Sequence, residues 1–193
     1  LSFNGSISND SFIFDGSTDY FEISETIAPQ LANSDFTIEF WAKINSITGN
    51  DTIYKQGNLA DHEQIQIYIN STGIYLNFYS GQATFNYPNI ILNNWNHFAI
   101  IFDSSGDSNQ GTSLCYFNGI LTQPSSYHID SNMRGQTSAS GPINIGRYDD
   151  NFADYFNGEL KKIKVWNSIR TQSEIQISYY NTDTYLNTLS TIY

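Results

Sequence analysis

The sequence is poor in cysteine and in basic residues, and each shortage excludes a class of protein. Cys115 is the single cysteine among 193 residues, so no internal disulfide can form. Only 8 lysine and arginine residues stand against 19 aspartate and glutamate residues, which gives a formal net charge of −11. Nucleic acids and anionic membrane surfaces both attract clustered basic side chains, so we expect neither of them as a partner.

Long apolar runs are missing as well. The sequence contains no stretch of about 18 apolar residues, the length that spans a bilayer, so we expect no insertion into a membrane. Because the chain begins at Leu1 rather than at Met, we expect a processed chain or a domain of a longer protein. Asparagine, serine, threonine and tyrosine dominate the polar positions, which favours an extracellular, cell-surface or virion-surface location.

The sequence does contain segments in which apolar and polar residues alternate with a period of two. Within 36–44 the even positions are apolar and the odd positions are polar except for Trp41, which indicates a β-strand with one buried face. The same pattern runs through 65–78 on both sides of a polar turn, and Asn118-Gly119 between apolar residues predicts a second hairpin. The more continuously apolar segment 95–102 is typical of a central strand.

One helix is predicted near the C-terminus. Thr171 and Glu174 have the spacing of a capping box, and Ile175 and Tyr179 follow at positions i and i+4 of one helix face. Many short strands and one late helix predict an all-β fold: a two-sheet antiparallel β-sandwich, or jelly roll, with one short C-terminal helix.

Several segments, taken in order, resemble the laminin-G-like and concanavalin-A-like jelly rolls, the pentraxin-related superfamily of lectins and glucanases. They are residues 14–23, 36–43, 95–103, 116–119, and 145–147 together with 156–167. The resemblance implies two antiparallel sheets, one of them concave, used for carbohydrate binding or cell adhesion. Many members hold a structural Ca²⁺, and the wider fold class includes glycoside hydrolases.

We therefore expect one domain over residues 1–193, with its core at about 11–181 and a final strand or tail at 182–193. The expected function is that of a non-catalytic recognition or adhesion module that binds carbohydrate, with a glycan or a protein on a surface as its partner. The alternative is a structural module of an appendage, filament or virion coat, which would pack through protein–protein contacts and self-association.

Catalytic signatures are missing from the sequence. A retaining glycosidase needs two carboxylates on one face about 5–5.5 Å apart, but Glu22 and Glu25 have the wrong parity and Glu39 stands alone. The histidines are not near a serine or cysteine in a nucleophile context, and we interpret His97 as a structural residue. We therefore predict that the protein is not an enzyme.

Calcium is the one cofactor that the resemblance suggests. Asp15 and Asp19 lie in a turn of the kind that presents oxygen ligands to Ca²⁺. Where the family often has a partner acid, this chain has Lys161, whose ammonium group puts calcium in doubt and could pair with Asp19 instead. A second candidate, with a solvated acidic loop as its alternative interpretation, consists of Asp149, Asp150 and Asp154.

Sugar sites combine flat aromatic faces with polar side chains that bind hydroxyl groups. Trp41 occupies a polar-parity position, so its ring either binds a ligand or is covered by a loop or the helix. Trp95 and Trp166 fall in the family-like segments and are predicted to be core residues. Tyr68 and Tyr75, which also fall on or near polar-parity positions, are further candidate ligand-binding residues, and so are Arg147, Tyr148 and Asp149 in a loop.

Overall fold

The computed structural model consists of two antiparallel β-sheets packed face to face. This arrangement confirms the predicted sandwich. One α-helix, α1 (Gln172–Tyr180), follows the last strand. The structure describes residues 2–29, 31, 34–57, 64–78, 82–85, 90–105, 112–122, 126–128, 141–149 and 154–181. The predicted final strand or tail at 182–193 lies outside these ranges.

The strands divide into an eight-stranded sheet A and a seven-stranded sheet B. Sheet A has the order β1 (Ser2–Asn4), β4 (Tyr20–Ile23), β14 (Ile143–Ile145), β6 (Asp51–Gly57), β7 (Gln64–Asn70), β8 (Gly73–Asn77), β9 (Gln82–Phe85) and β13 (Ser126–His128). Sheet B has the order β12 (Ile120–Thr122), β11 (Thr112–Phe117), β10 (Trp95–Asp103), β5 (Phe36–Ile44), β15 (Asn157–Trp166), β3 (Ser11–Asp15) and β2 (Ser6–Ser8).

The core between the sheets is built from phenylalanine and isoleucine. Cross-strand rings of β5 and β10 stack in pairs, with 5.3 Å between the centroids of Phe40 and Phe98 and 5.5 Å between those of Phe36 and Phe102. Isoleucines from β7 meet them from sheet A. Full burial of each such side chain stabilises the fold by about 1.5–3 kcal/mol, so the core supplies the stability that disulfides would give elsewhere.

Strand β5 is buried on both faces, although the alternation predicted only one buried face. Thr37 is fully buried, Glu39 is 1% exposed and Trp41 is 8% exposed. The ring of Tyr179 from α1 stacks on Trp41, with 5.6 Å between the centroids and 10° between the planes. The helix therefore covers the second face of this central strand.

Local signals in the sequence match the turns and the helix end. Asn118 and Gly119 both have left-handed backbones, with φ of 49° and 76°, as a tight hairpin turn requires. At the start of α1, the hydroxyl of Thr171 accepts from the backbone N–H of Glu174, and the Glu174 carboxylate accepts from the backbone N–H of Thr171. Within the described residues, no helix combines the length and the apolar character needed to cross a membrane.

Candidate ligand-binding face

The outer face of sheet A is polar, and the strand register explains why. Asn144 pairs with Glu22 on one side and with Lys55 on the other, and Lys55 pairs in turn with Gln66. Gln66 pairs with Asn77, which completes a row across five strands. Paired residues share a face of a sheet, so these five side chains form one polar row. Alternate residues of the same strands are mostly isoleucines that point into the core.

Amide side chains hold the centre of the polar row together. The Gln66 amide nitrogen donates to the hydroxyl of Thr52 in the neighbouring strand β6, with 2.9 Å between Nε2 and Oγ1. The Asn77 amide nitrogen donates to the Gln66 carbonyl oxygen at 3.0 Å. Gln66 therefore uses both ends of its amide, and the row is fixed in place before any ligand arrives.

Arg147 fixes one end of the polar row. Its Nε donates to Asn144 Oδ1 at 3.0 Å and its terminal nitrogen donates to Glu22 Oε2 at 3.2 Å. The guanidinium carbon also lies 3.3 Å from the centre of the Tyr20 ring, a cation–π contact. Arg147 is 5% exposed, so it positions its neighbours rather than reaching into solvent.

A pair of tyrosines lies on the same face. Tyr68 and Tyr75 are opposite each other in β7 and β8, and their rings stack with 4.5 Å between centroids and 2° between planes. Burial, together with the nearby Tyr75 and Asp154, raises the pKa of Tyr68. The Tyr68 hydroxyl therefore remains neutral at physiological pH and is able to donate and accept hydrogen bonds.

Tyr148 joins this face to the start of β7. Its hydroxyl donates to Gln64 Oε1 at 2.9 Å, and the Lys55 ammonium lies 5.7 Å from the centre of the Tyr148 ring. The same ammonium donates to the Gly57 carbonyl. Burial lowers the pKa of Lys55, and the negative charge of Asp149 opposes that shift.

Comparison with known proteins places this architecture. A family model described as the concanavalin A-like lectin/glucanases superfamily matches residues 15–176. The chain belongs to this superfamily. No curated protein matches the chain in sequence.

Solved structures of low sequence identity share the concanavalin A-like fold. Domain 4 of an extracellular GH43 arabinanase from Geobacillus stearothermophilus, solved in complex with arabinotriose, is 14% identical with a TM-score of 0.62 and covers 91% of this chain and 79% of its own. A heptameric SAP-like pentraxin from Limulus polyphemus is 18% identical with a TM-score of 0.61, and the match covers 88% of this chain and 82% of the pentraxin chain. Domains LG4–5 of the mouse laminin α1 chain are 13% identical with a TM-score of 0.57, and the match covers 82% of this chain and 41% of the laminin chain.

The concanavalin A-like fold brings five of the six predicted ligand-binding residues to one side of the molecule. On the outer face of sheet A, Tyr68 stacks on Tyr75. On the same face, Arg147 donates to Asn144 and Tyr148 donates to Gln64, and the negative charge of Asp149 affects the pKa of Lys55. Sequence reasoning missed the amides and Lys55, although the alternation of Gln64, Gln66 and Tyr68 with isoleucine marks their common face.

Trp41 is the exception among the predicted ligand-binding residues. It lies on the outer face of sheet B, where Tyr179 covers it, so its ring is not available to a ligand. The structure therefore agrees with the alternative interpretation, in which the helix covers Trp41. Trp95 and Trp166, predicted as core residues, are instead partly exposed beneath cations, with the Lys161 ammonium 4.3 Å from the Trp95 ring centre and the Arg170 guanidinium 4.8 Å from that of Trp166.

The Asp15 turn bears on the calcium that the family implies. The Asp15 carboxylate accepts five hydrogen bonds, from the amides of Ser17, Thr18 and Asp19 and from two hydroxyls of the same turn. Burial opposes ionisation of Asp15, but the hydrogen bonds from Thr18 and Ser17 outweigh it and hold the pKa well below its usual range. As the turn stands, Asp15 could bind Ca²⁺ only by giving up some of these bonds, and Asp19 already accepts from the Asp15 amide.

The predicted pairing of Lys161 with Asp19 is wrong. Lys161 Nζ lies 3.1 Å from Asp10 Oδ2 and forms an ion pair with that residue. The reason is strand parity: Leu160 points into the core, so Lys161 points to the outer face of sheet B, where it lies opposite Trp41.

The second predicted metal site is only partly within the described residues. Asp150 lies outside them. Burial and the charge of Asp149 both raise the pKa of Asp154, so these two carboxylates are neighbours. In the described part of the chain, no three histidine, cysteine or acidic side chains are grouped as a metal site. Calcium therefore stays a prediction.

Proposed function

We propose that the chain is a non-catalytic recognition module that binds carbohydrate on the outer face of sheet A. The polar row carries this proposal, because sugars are recognised by fixed amide and charged groups beside aromatic rings. Asn77 and Glu22 are partly exposed and supply an amide and a carboxylate, whereas Gln66, Asn144 and Lys55 are nearly buried in the same row. Tyr148 is partly exposed and adds apolar surface, whereas the stacked rings of Tyr68 and Tyr75 are 8% and 9% exposed and support this face from within.

The partners of the strand carboxylates support a non-catalytic role. No strand in the described ranges carries two carboxylates, so two acids alternating along one strand, as expected of a retaining glycosidase of this fold class, are not found in that part of the chain. Each of three acids has its own partner: Glu22 is held by Arg147, Glu39 by His97 at 3.3 Å and Glu159 by Lys43 at 2.8 Å. The Glu39–His97 pair is buried, which supports the structural interpretation of His97.

Known relatives of the fold are consistent with this proposal. The arabinanase domain was solved with arabinotriose and belongs to an extracellular enzyme. We place the present module in the same setting, outside a cell or on the surface of a cell or virion, with a glycan as its ligand or a glycan-bearing protein as its partner.

A glycan array followed by calorimetry tests the proposal. We expect specific hits, and we expect Asn77→Ala to weaken their binding about tenfold because a partly exposed amide of the polar row is lost. Asn167→Ala is the matched control, since Asn167 is exposed beyond the end of β15 in sheet B. A silent array, or equal loss in both variants, would overturn the proposal.

A second candidate function is assembly through sheet edges. The edge strands of sheet B are β2 and β12, and their apolar side chains are exposed: Ile7 to 65% and Ile120 to 71%. Edge strands usually carry charges that block pairing with another sheet, but neither strand has one. Addition of β12 of one copy to β2 of the next would continue sheet B from molecule to molecule.

A further inference from the structure

Gln64 is a buried amide with one end unused. It is 1% exposed, and its Oε1 accepts from the Tyr148 hydroxyl at 2.9 Å, but its Nε2 has no hydrogen-bond partner. Gln66, two residues further along the same face, uses both ends of its amide. The difference is therefore specific to Gln64 and is not a property of the whole face.

Rotating the Gln64 amide does not remove the problem. A tyrosine hydroxyl can also accept a hydrogen bond, so Nε2 could face Tyr148, but Oε1 would then lose its donor. Buried polar groups in native proteins nearly always have partners, and exceptions call for a functional explanation. A ligand oxygen at this position would supply the missing acceptor.

Lys55 places a second donor beside Gln64. The two residues are diagonal neighbours in β6 and β7, because Gly57 pairs with Gln64 and Lys55 pairs with Gln66. Lys55 is 4% exposed, and of the three N–H groups that an ammonium carries, one donates to the Gly57 carbonyl. Asp149 is near enough to oppose the effect of burial on the Lys55 pKa, so a carboxylate is present as well.

We propose that Gln64, Lys55, Tyr148 and Asp149, here called the Gln64 cluster, form a subsite for two adjacent hydroxyl groups of a neutral sugar. Such hydroxyls accept from the Gln64 amide and the Lys55 ammonium and donate to the Asp149 carboxylate. The partly exposed Tyr148 and Asp149 connect the buried donors with the surface.

Charge selects a neutral ligand over an acidic or an amino sugar. Within the Gln64 cluster the positive charge of Lys55 faces the negative charge of Asp149, and the neighbouring Arg147 guanidinium is already paired with Glu22. A carboxylated sugar would bring a like charge to Asp149, and an amino sugar would bring one to Lys55, which is unfavourable where water is largely excluded. This inference rests on the proposed carbohydrate function but is tested separately from it.

The side-chain amide of Gln64 is a direct reporter in nuclear magnetic resonance. We expect titration of ¹⁵N-labelled protein with glucose, galactose or mannose to shift the Gln64 amide cross-peaks, which Gln64→Met identifies by their absence. Glucuronic acid and glucosamine are the acidic and amino probes, and we expect neither to shift these cross-peaks at the same concentration.

Gln64→Met separates a binding role from a structural one. Methionine has a similar shape but no buried N–H, so we expect a Tm equal to or above that of the wild type together with about tenfold weaker binding of the neutral sugar. The control Gln66→Met removes two made hydrogen bonds and should lower the Tm instead.

Three outcomes contradict the inference in different ways. If sugars bind and shift the polar row but not the Gln64 amide, or if Gln64→Met binds as the wild type does, the Gln64 cluster is not the subsite and the proposed function stands. If only the acidic or amino sugar binds, the neutral class is wrong. If no sugar binds at any position, the proposed function fails as well.

Discussion

Asp15 illustrates how one exposed side chain can organise a turn. Its two carboxylate oxygens accept from the backbone and hydroxyl groups of the three residues in the tight turn that joins β3 to β4. Gly16, with φ of 76°, supplies the left-handed backbone that the turn requires. The hydrogen bonds are stronger when Asp15 is ionised, so the stability of the turn depends on pH.

We expect Asp15→Ala to lower the free energy of unfolding by about 1 kcal/mol at neutral pH. Since the pKa of Asp15 is lower in the folded protein than in the unfolded chain, its contribution is complete above the unfolded value of about 3.9 and decreases as the pH falls below it. Urea denaturation at pH 7 and at decreasing pH would show the difference between variant and wild type shrinking only in acid. A difference that is constant down to pH 2 would contradict this account.

At the level of single residues, strand parity was the signal that worked best. It identified Tyr68 and Tyr75 as residues of an outer face, and the structure stacks them there. Parity does not distinguish a covered outer face from an open one, and the stacking of Tyr179 on Trp41 is therefore not predictable from it. The partner of Lys161 also depends on which loops lie beside its strand, and Asp10 rather than Asp19 does so.

The helix α1 acts as a cover for sheet B. Ile175 is fully buried against Ala99, Ile101 and Tyr116. The Tyr179 ring lies parallel to Trp41 and 5.9 Å from the ring of His97, which itself contacts Glu39. The capping box could be predicted from four residues in sequence. The place where the helix packs could not, because it depends on residues from 59 (Tyr116 to Ile175) to 138 (Trp41 to Tyr179) positions away along the chain.

We expect Tyr179→Ala to destabilise the fold by about 2–3 kcal/mol, because it removes a stacked ring and leaves a cavity over Trp41. Tyr180→Ala is the matched control, since Tyr180 is 74% exposed and its loss should cost about 0.5 kcal/mol. Urea denaturation measures both values. The tryptophan fluorescence of folded Tyr179→Ala should shift to longer wavelength as Trp41 meets water, and an unchanged spectrum would show that α1 does not cover it.

For the whole molecule, the sequence contained enough to predict the sandwich but not the order of its strands. The lysine-rich segment at 161–164 is an example, since lysines typically protect sheet edges. In the structure it belongs to β15, which lies inside sheet B between β5 and β3. The four edge strands β1, β13, β2 and β12 contain no lysine, arginine, aspartate or glutamate. The lysines of this chain therefore do not protect the edges of the sheets, although their clustering in one strand would suggest that they do.

Net charge opposes contact between copies of the whole molecule. The formal charge of −11 produces mutual repulsion that salt screens, with a Debye length of about 8 Å at physiological ionic strength. The apolar edge at Ile120, which is 71% exposed beside Leu121 at 38%, favours contact instead. The balance of the two should therefore change with salt and with pH.

If edge pairing occurs, sedimentation velocity should show association that increases with protein concentration, with salt and with a fall in pH towards the pI of about 4.3. Ile120→Lys should reduce this association, because a charged side chain on the edge strand β12 opposes its pairing with the edge of another sheet. Ile177→Lys is the control: it adds the same charge at a 58% exposed residue of α1, away from the strand edges.

Because pairing of β12 with β2 joins two different surfaces, it generates open chains rather than closed dimers. A fixed dimer, or an equal response of the two lysine variants, would therefore exclude assembly through these edges.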